Sequence, residues 1–169
     1  MNTLARIVKH RWLDHNDAKR AIGSDGLTRL MARVAASEQQ HSGEIRICIE
    51  AGLPMSYLWR GADARERAIA MFGKLRVWDT EHNNGVLIYL LLAEHRIEIV
   101  ADRGLDRLVD AAQWQRISQT MSDAFRSRQF EAGLSQAVDA ATDLLVQHFP
   151  LDHRQPNPDE LPNSVWLIG

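Results

Sequence analysis

The most apolar stretch of the chain, residues 86–92, is bracketed by polar segments with strong turn chemistry. Seven near-continuous apolar residues, with Val, Ile and Tyr among them, have the length and character of a strand buried on both faces. Asn83, Asn84 and Gly85 precede the run and tolerate the positive φ of a tight turn. Ala93, Glu94 and His95 interrupt it. Residues 96–101 then alternate, with Ile97 and Ile99 on one face and Glu98 and Val100 on the other. The pattern predicts an antiparallel hairpin of one central and one half-exposed strand, closed by a turn at Asp102, Arg103 and Gly104. Antiparallel pairing brings the loops 83–85 and 102–106 to the same end of the sheet.

The rest of the chain reads as helices around this hairpin, with one further strand. Residues 3–17 predict a helix with Leu4, Ile7, Val8 and Trp12 on its apolar face and His10, Arg11 and His15 turned away. It reads as a packing or partner-contact helix, with a membrane-surface helix as the alternative. Ser24 is the expected N-cap of a second helix, with Leu27, Leu30, Met31, Val34 and Glu38 on one side and a stop at Gly43. Residues 44–50 alternate strictly, Ile45, Ile47 and Ile49 against Arg46, Cys48 and Glu50, and predict a strand with one apolar face. Leu58 and Trp59 fall in an expected loop. Asp63 and Glu66 form a capping-box pair for a helix over 63–75. Strand 44–50, this helix and strand 86–92 make a β-α-β unit. Its right-handed crossover makes the two strands parallel and the sheet mixed. Asp110 with Gln113 caps a helix that turns Trp114, Ile117, Met121 and Phe125 inward. A long helix from Phe130 follows and Pro150 stops it. The tail holds three of the five prolines and ends on Val165, Trp166, Leu167 and Ile168, which pack back on the domain or form a contact surface.

Composition narrows the class. At 169 residues and 45% apolar content the chain can bury one real core. A formal net charge of −2 predicts no general nucleic-acid partner. The single cysteine, Cys48, excludes an intrachain disulfide and reads as a half-buried packing residue in a reducing compartment. The N-terminus lacks a signal-peptide core, and the longest apolar run is far too short to span a bilayer. The expectation is a cytoplasmic protein with no transmembrane segment.

Familiar catalytic motifs are absent: there is no Gly-rich phosphate loop, no nucleophile elbow and no Cys-X-X-Cys pair. His95 and Glu98, three apart on a strand, point to opposite faces. His148 and His153 flank Pro150 as expected surface histidines. The remaining candidate is a cluster of carboxylates and amides at one end of the sheet. Asp79, Glu81, Asn83 and Asn84 precede the central strand, and Asp102, Asp106 and Asp110 follow its partner. Oxygen ligands from two adjacent loops suit a hard cation, Ca²⁺ or Mg²⁺, with Asp79, Asn84, Asp102 and Asp106 as candidate ligands. The structural alternative is that Asn84 shapes a turn, Asp110 caps a helix and Asp102 pairs with Arg103 or Arg107.

The sequence resembles the TPM domain family, which takes in a thylakoid-lumen protein with acid phosphatase activity, a photosystem II repair factor and a nematode receptor modulator. The resemblance rests on Ser42, Gly43, Glu44 and Ile45, then Asn84, Gly85, Val86, Leu87 and Ile88, then Arg96, Ile97, Glu98 and Ile99. It continues through Gly104, Leu105, Leu108, Val109 and Asp110 to Phe125, Phe130, Gly133 and Leu134. It implies an α/β fold: an α/β/α sandwich on a small mixed sheet over residues 24–149. An N-terminal helix and linker (1–23) and an extended tail (150–169) flank this single domain. The family also implies an acidic groove at the sheet end, in some members a Ca²⁺ site. The signal peptide and membrane anchor common in the family are not seen, and Asp102 stands where relatives often have glycine. The segments 77–81 and 99–104 resemble a short, soluble bacterial subgroup whose members are encoded near LemA-like membrane proteins, which implies a partner of that kind. Two functions are therefore expected as alternatives. One is a non-catalytic accessory or interaction module, steadied by a divalent cation. The other is a metal-assisted acid phosphatase in which Asp79 and Asp102 hold the cation and Asp106 orients water.

Overall fold

The computed structural model describes residues 3–151 and 160–169. Its centre is a mixed sheet of β1 (Ile45–Glu50), β2 (Val86–Leu91), β3 (Arg96–Ala101) and β4 (Trp166–Ile168), in the spatial order β3-β2-β1-β4. β1 and β2 are parallel, with Ile45 opposite Val86, and the antiparallel β2–β3 pair sets Val86 opposite Ala101. The hairpin and the parallel crossover are thus as the sequence predicts. The β2–β3 connection is one turn of 3-10 helix, Leu92–Glu94, followed by His95 in the left-handed region at φ 51°.

Eight helices are described: α1 (Thr3–Arg11), α2 (His15–Ile22), α3 (Ser24–Glu38), α4 (Met55–Trp59), α5 (Ala64–Lys74), α6 (Arg103–Asp106), α7 (Ala111–Arg126) and α8 (Phe130–His148). Alternation on the strands sorts them into two layers. Ile45, Ile47 and Ile49 of β1 and Val86, Ile88 and Leu90 of β2 face a core completed by α2, α3, α7 and α8. Cys48 of β1 and Leu87, Tyr89 and Leu91 of β2 face the opposite way, onto α4 and α5. The result is an α/β/α sandwich. Each aliphatic side chain taken wholly out of water here contributes about 1.5–3 kcal/mol.

Several sequence expectations are corrected. The helix expected over 3–17 is two helices, because the Asp14 side chain accepts from the Asn16 and Asp17 amides and Asp17 bonds back to the Asp14 amide, a capping box that starts α2. The expected faces of the first helix are also reversed in part. Leu4, Val8 and Trp12 are exposed, whereas His10 is buried. Ser24 is the first residue of α3 and not its cap, which is Gly23 without a side-chain bond. α3 stops at Glu38, so Gly43 does not terminate it. Gly43 is instead a close-approach position, where a Cβ would lie 2.5 Å from Leu145. Leu58 and Trp59 lie in α4 and not in a loop.

The second face of β1 is as buried as the first, because α4 and α5 cover it. Cys48 is therefore fully enclosed and not half-buried. Glu50 is enclosed beside it. It is held by Arg67 through bonds of 2.6 and 2.8 Å and by the Tyr89 hydroxyl at 2.6 Å, the multiple pairing that a buried carboxylate requires. Burial first, and then the Glu50 charge, push the Tyr89 hydroxyl far above its usual range.

The chain's end packs back as a fourth strand: Cys48, Ile49 and Glu50 pair in parallel with Trp166, Leu167 and Ile168. Much of the tail before it, with His153, lies outside the described residues. Among the described residues no helix is long and apolar enough to cross a membrane.

Candidate functional site

The register brings the start of β1, the start of β2 and the end of β3 to one edge of the sheet. The Asp102 amide donates to the Gly85 carbonyl at 2.8 Å, extending the ladder one residue past β3. The Gly104 amide donates to the Asn83 carbonyl at 2.9 Å, which zips the two loops together. Gly104 is required there: a Cβ would sit 2.4 Å from the Asn83 oxygen and 2.6 Å from the His82 oxygen. Gly85 allows the turn after α5 to pass just as closely, since its Cβ would meet the Val77 carbonyl at 2.0 Å.

Asn84 is fully enclosed. Its backbone amide donates to Thr80 Oγ1 at 3.1 Å, and its side-chain Nδ2 donates to the Ser42 carbonyl at 3.1 Å. Its Oδ1 has no hydrogen-bond partner. Asp102 is 7% exposed, and its Oδ1 caps α6 by accepting from the Arg103 amide at 2.7 Å. Its second oxygen, Oδ2, is buried without a hydrogen-bond donor. Two orphaned oxygens on adjacent loops are unusual, because a buried acceptor left unpaired costs about 1–3 kcal/mol.

The other candidates are placed differently. Asp79 is exposed and pairs with Arg76 at 2.5 Å. Asp106 is exposed at the end of α6, with its amide on the Asp102 carbonyl at 2.9 Å. Asp110 caps α7 by accepting from the Gln113 amide at 2.7 Å. Asn83 sits at φ 51° and accepts from Arg103 Nε at 3.3 Å. Among the described residues no three His, Cys, Asp or Glu side chains converge to hold a metal by themselves. A cation at this edge would rest on Asp102 Oδ2, with main-chain carbonyls and water completing its shell.

Sequence reasoning missed Glu44 and Glu160 at this edge. Glu44, 3% exposed, accepts from the Glu160 amide at 3.2 Å, and Glu160 in turn accepts from the Glu81 amide at 3.0 Å. The signal for Glu44 was its place at the head of the alternating run 44–50. Glu160 carried none, because its approach depends on the tail folding back.

A serine and a histidine also meet, Ser37 Oγ to His41 Nε2 at 2.8 Å. The Gly43 carbonyl can only accept, so His41 Nδ1 carries the proton at 3.0 Å and Nε2 accepts from Ser37. Burial lowers the His41 pKa to about 4. The pair is sealed from solvent and serves the core.

These features define an α/β/α sandwich with a polar sheet edge built from two zipped loops. The chain belongs to the TPM domain family, whose model matches residues 15–144. Among solved structures it is similar to the BA42 protein of the psychrophilic bacterium Bizionia argentinensis, with 26% identity and a TM-score of 0.74 over 86% of this chain and 94% of that one. It shares its fold with the N-terminal domain of a protein from P. gingivalis, with 23% identity and a TM-score of 0.61 over 81% of this chain and 90% of that one. No curated protein matches the chain.

Proposed function

We propose that this chain is a non-catalytic accessory module of the TPM type whose sheet-edge loops bind a divalent cation, Ca²⁺ or Mg²⁺. The observation that carries the reading is Asp102 Oδ2, a carboxylate oxygen buried with no hydrogen-bond donor at the sheet edge. A hard cation bound at Asp102 Oδ2 would satisfy that oxygen and offset the cost of enclosing the charge. Ca²⁺ suits the place better than Mg²⁺, because it accepts an irregular shell with several carbonyl ligands. Asp106 lies one turn beyond Asp102 and adds negative charge at the rim. The loops so ordered, with exposed Trp78 close by in sequence, would form the contact surface for a protein partner.

The test is a thermal melt of metal-stripped protein with and without millimolar Ca²⁺ or Mg²⁺, on wild type and Asp102→Asn. Asparagine keeps the α6 cap through its Oδ1 but removes the charge. A ligand that binds only the native state must raise Tm, and stabilises the fold by about 2.7 kcal/mol at a hundredfold excess over Kd. The expected result is a rise in wild type that is lost in Asp102→Asn. No shift with either ion would reduce Asp102 and Asn84 to cap and turn residues and end the cation reading.

A further inference from the structure

The far end of the sheet carries a second feature, about 20 Å away along the six-residue strands. A groove of about 630 Å³ opens between α1, α2 and the β2–β3 turn. Leu92 and Phe130 line its apolar part and Trp12 forms a wall. Lys9, His95 and Arg128 stand around it. Its size and mainly apolar lining are those of small-molecule sites.

Three observations bear on what it takes. First, its charge is one-sided. Of the charged lining groups, Asp17 is already paired with Arg20 at 2.6 Å, whereas no ion pair is found for Lys9 or Arg128 among the described residues. Second, Lys9 and Arg128 line the same groove as His95. Burial lowers the His95 pKa, and the Lys9 and Arg128 charges lower it further. Third, the backbone is strained there. Of the four non-glycine residues with positive φ among those described, His95 (51°) and Arg128 (57°) both line this groove. Such strain persists where the surroundings fix a side chain in a needed direction. His95 is braced edge-on against Phe130 at 5.4 Å.

The wall is also fixed to the fold. Glu94, next to His95, accepts from Arg6 at 2.8 Å and bonds His10 at 3.1 Å, which ties α1 across the β2–β3 turn. Trp12 itself is 82% exposed despite lining the groove, a large apolar surface left without a protein partner. An apolar body in the groove would cover it, and two unpaired cations at the mouth call for one anionic head.

We propose that this groove binds a small amphipathic carboxylate, an acyl chain lying against Phe130, Leu92 and Trp12 with its head group between Lys9 and Arg128. Neutral His95 offers the head a hydrogen bond without adding charge. The bound species is a carboxylate of medium chain length, in keeping with a groove of about 630 Å³. α1 precedes residue 15, where the family match begins, so the wall belongs to this chain's own N-terminal segment.

The test is calorimetric titration of the full chain with decanoate below its micelle-forming concentration, at mildly alkaline pH. Decanol and decyltrimethylammonium serve as uncharged and cationic controls. Decanoate is expected to saturate one site per chain, decanol to bind at least about tenfold more weakly and the cation not at all. Lys9→Glu with Arg128→Glu should weaken decanoate more than about tenfold, and Trp12→Ala severalfold. All three positions are exposed, so circular dichroism and melting should be unchanged. Absence of saturable binding, equal binding of the cationic control, or unaltered affinity in the double variant would overturn the proposal. So would association with phosphatidylglycerol vesicles but not with decanoate, which would assign α1 to a lipid surface instead.

Discussion

His41 shows how one enclosed titratable side chain sets a pH limit on the fold. Its two nitrogens are committed to the Gly43 carbonyl and the Ser37 hydroxyl, and burial holds it neutral with a pKa of about 4. The unfolded chain binds a proton near pH 6.5 that the native state refuses. Stability from this group is therefore complete above pH 6.5 and is lost as pH falls toward about 4, by on the order of 3 kcal/mol. Urea unfolding at a series of pH values should show that slope in wild type and not in His41→Gln. Glu94 acts in a lower window. The hydrogen bond from His10, with further help from Arg6 and against burial, holds it at about 2, below its usual 4.5. Its contribution is present above pH 4.5 and lost below. Neither role was legible in the sequence. His41 falls just before the expected helix stop at Gly43 with nothing in the pattern to mark it, and His10 reads as a residue turned away from the apolar face. Each is fixed by partners that folding supplies, Ser37 (itself bonded to Thr142) for the first and Glu94 and the Leu53 amide for the second.

Elements with a strong local pattern were readable, and elements held by distant polar contacts were not. β1, β2 and β3 announced themselves through alternation and turn chemistry, and with them the sheet edge where Asn84 and Asp102 meet. α1 misled because its apolar residues suggest a face that the fold leaves in solvent. The helix docks instead through Ile7 and a polar clip: Arg6 and His10 on Glu94, Arg6 on the Ala62 carbonyl at 2.7 Å, and the Leu53 amide on His10 at 2.9 Å. Glu94 serves both arms of that clip, so Glu94→Ala should release α1 while the sheet persists. Hydrogen exchange is expected to show amides of residues 3–11 losing protection, with β1 and β2 unaffected. Equal loss across the sheet would mean that α1 is an integral part of the cooperative core.

The whole molecule is completed by segments at both ends of the chain. The family match spans residues 15–144, yet α1 walls the groove and β4 covers the outer edge of β1. That cover turns β1 into an interior strand, flanked by β2 and β4, with Cys48 opposite Tyr89 on one side and Trp166 on the other. The chain's one thiol is thus placed inside a buried strand with a neighbour on each side. Burial pushes the thiol well above its usual pKa, so it lacks both the access and the thiolate that alkylation needs. It is a built-in stopwatch for global opening. Under native conditions a maleimide should react only as fast as the sheet comes apart, and the labelling rate should rise with urea in step with unfolding. Fast labelling without denaturant would show that β4 lifts away on its own and that the sheet breathes from its C-terminal edge.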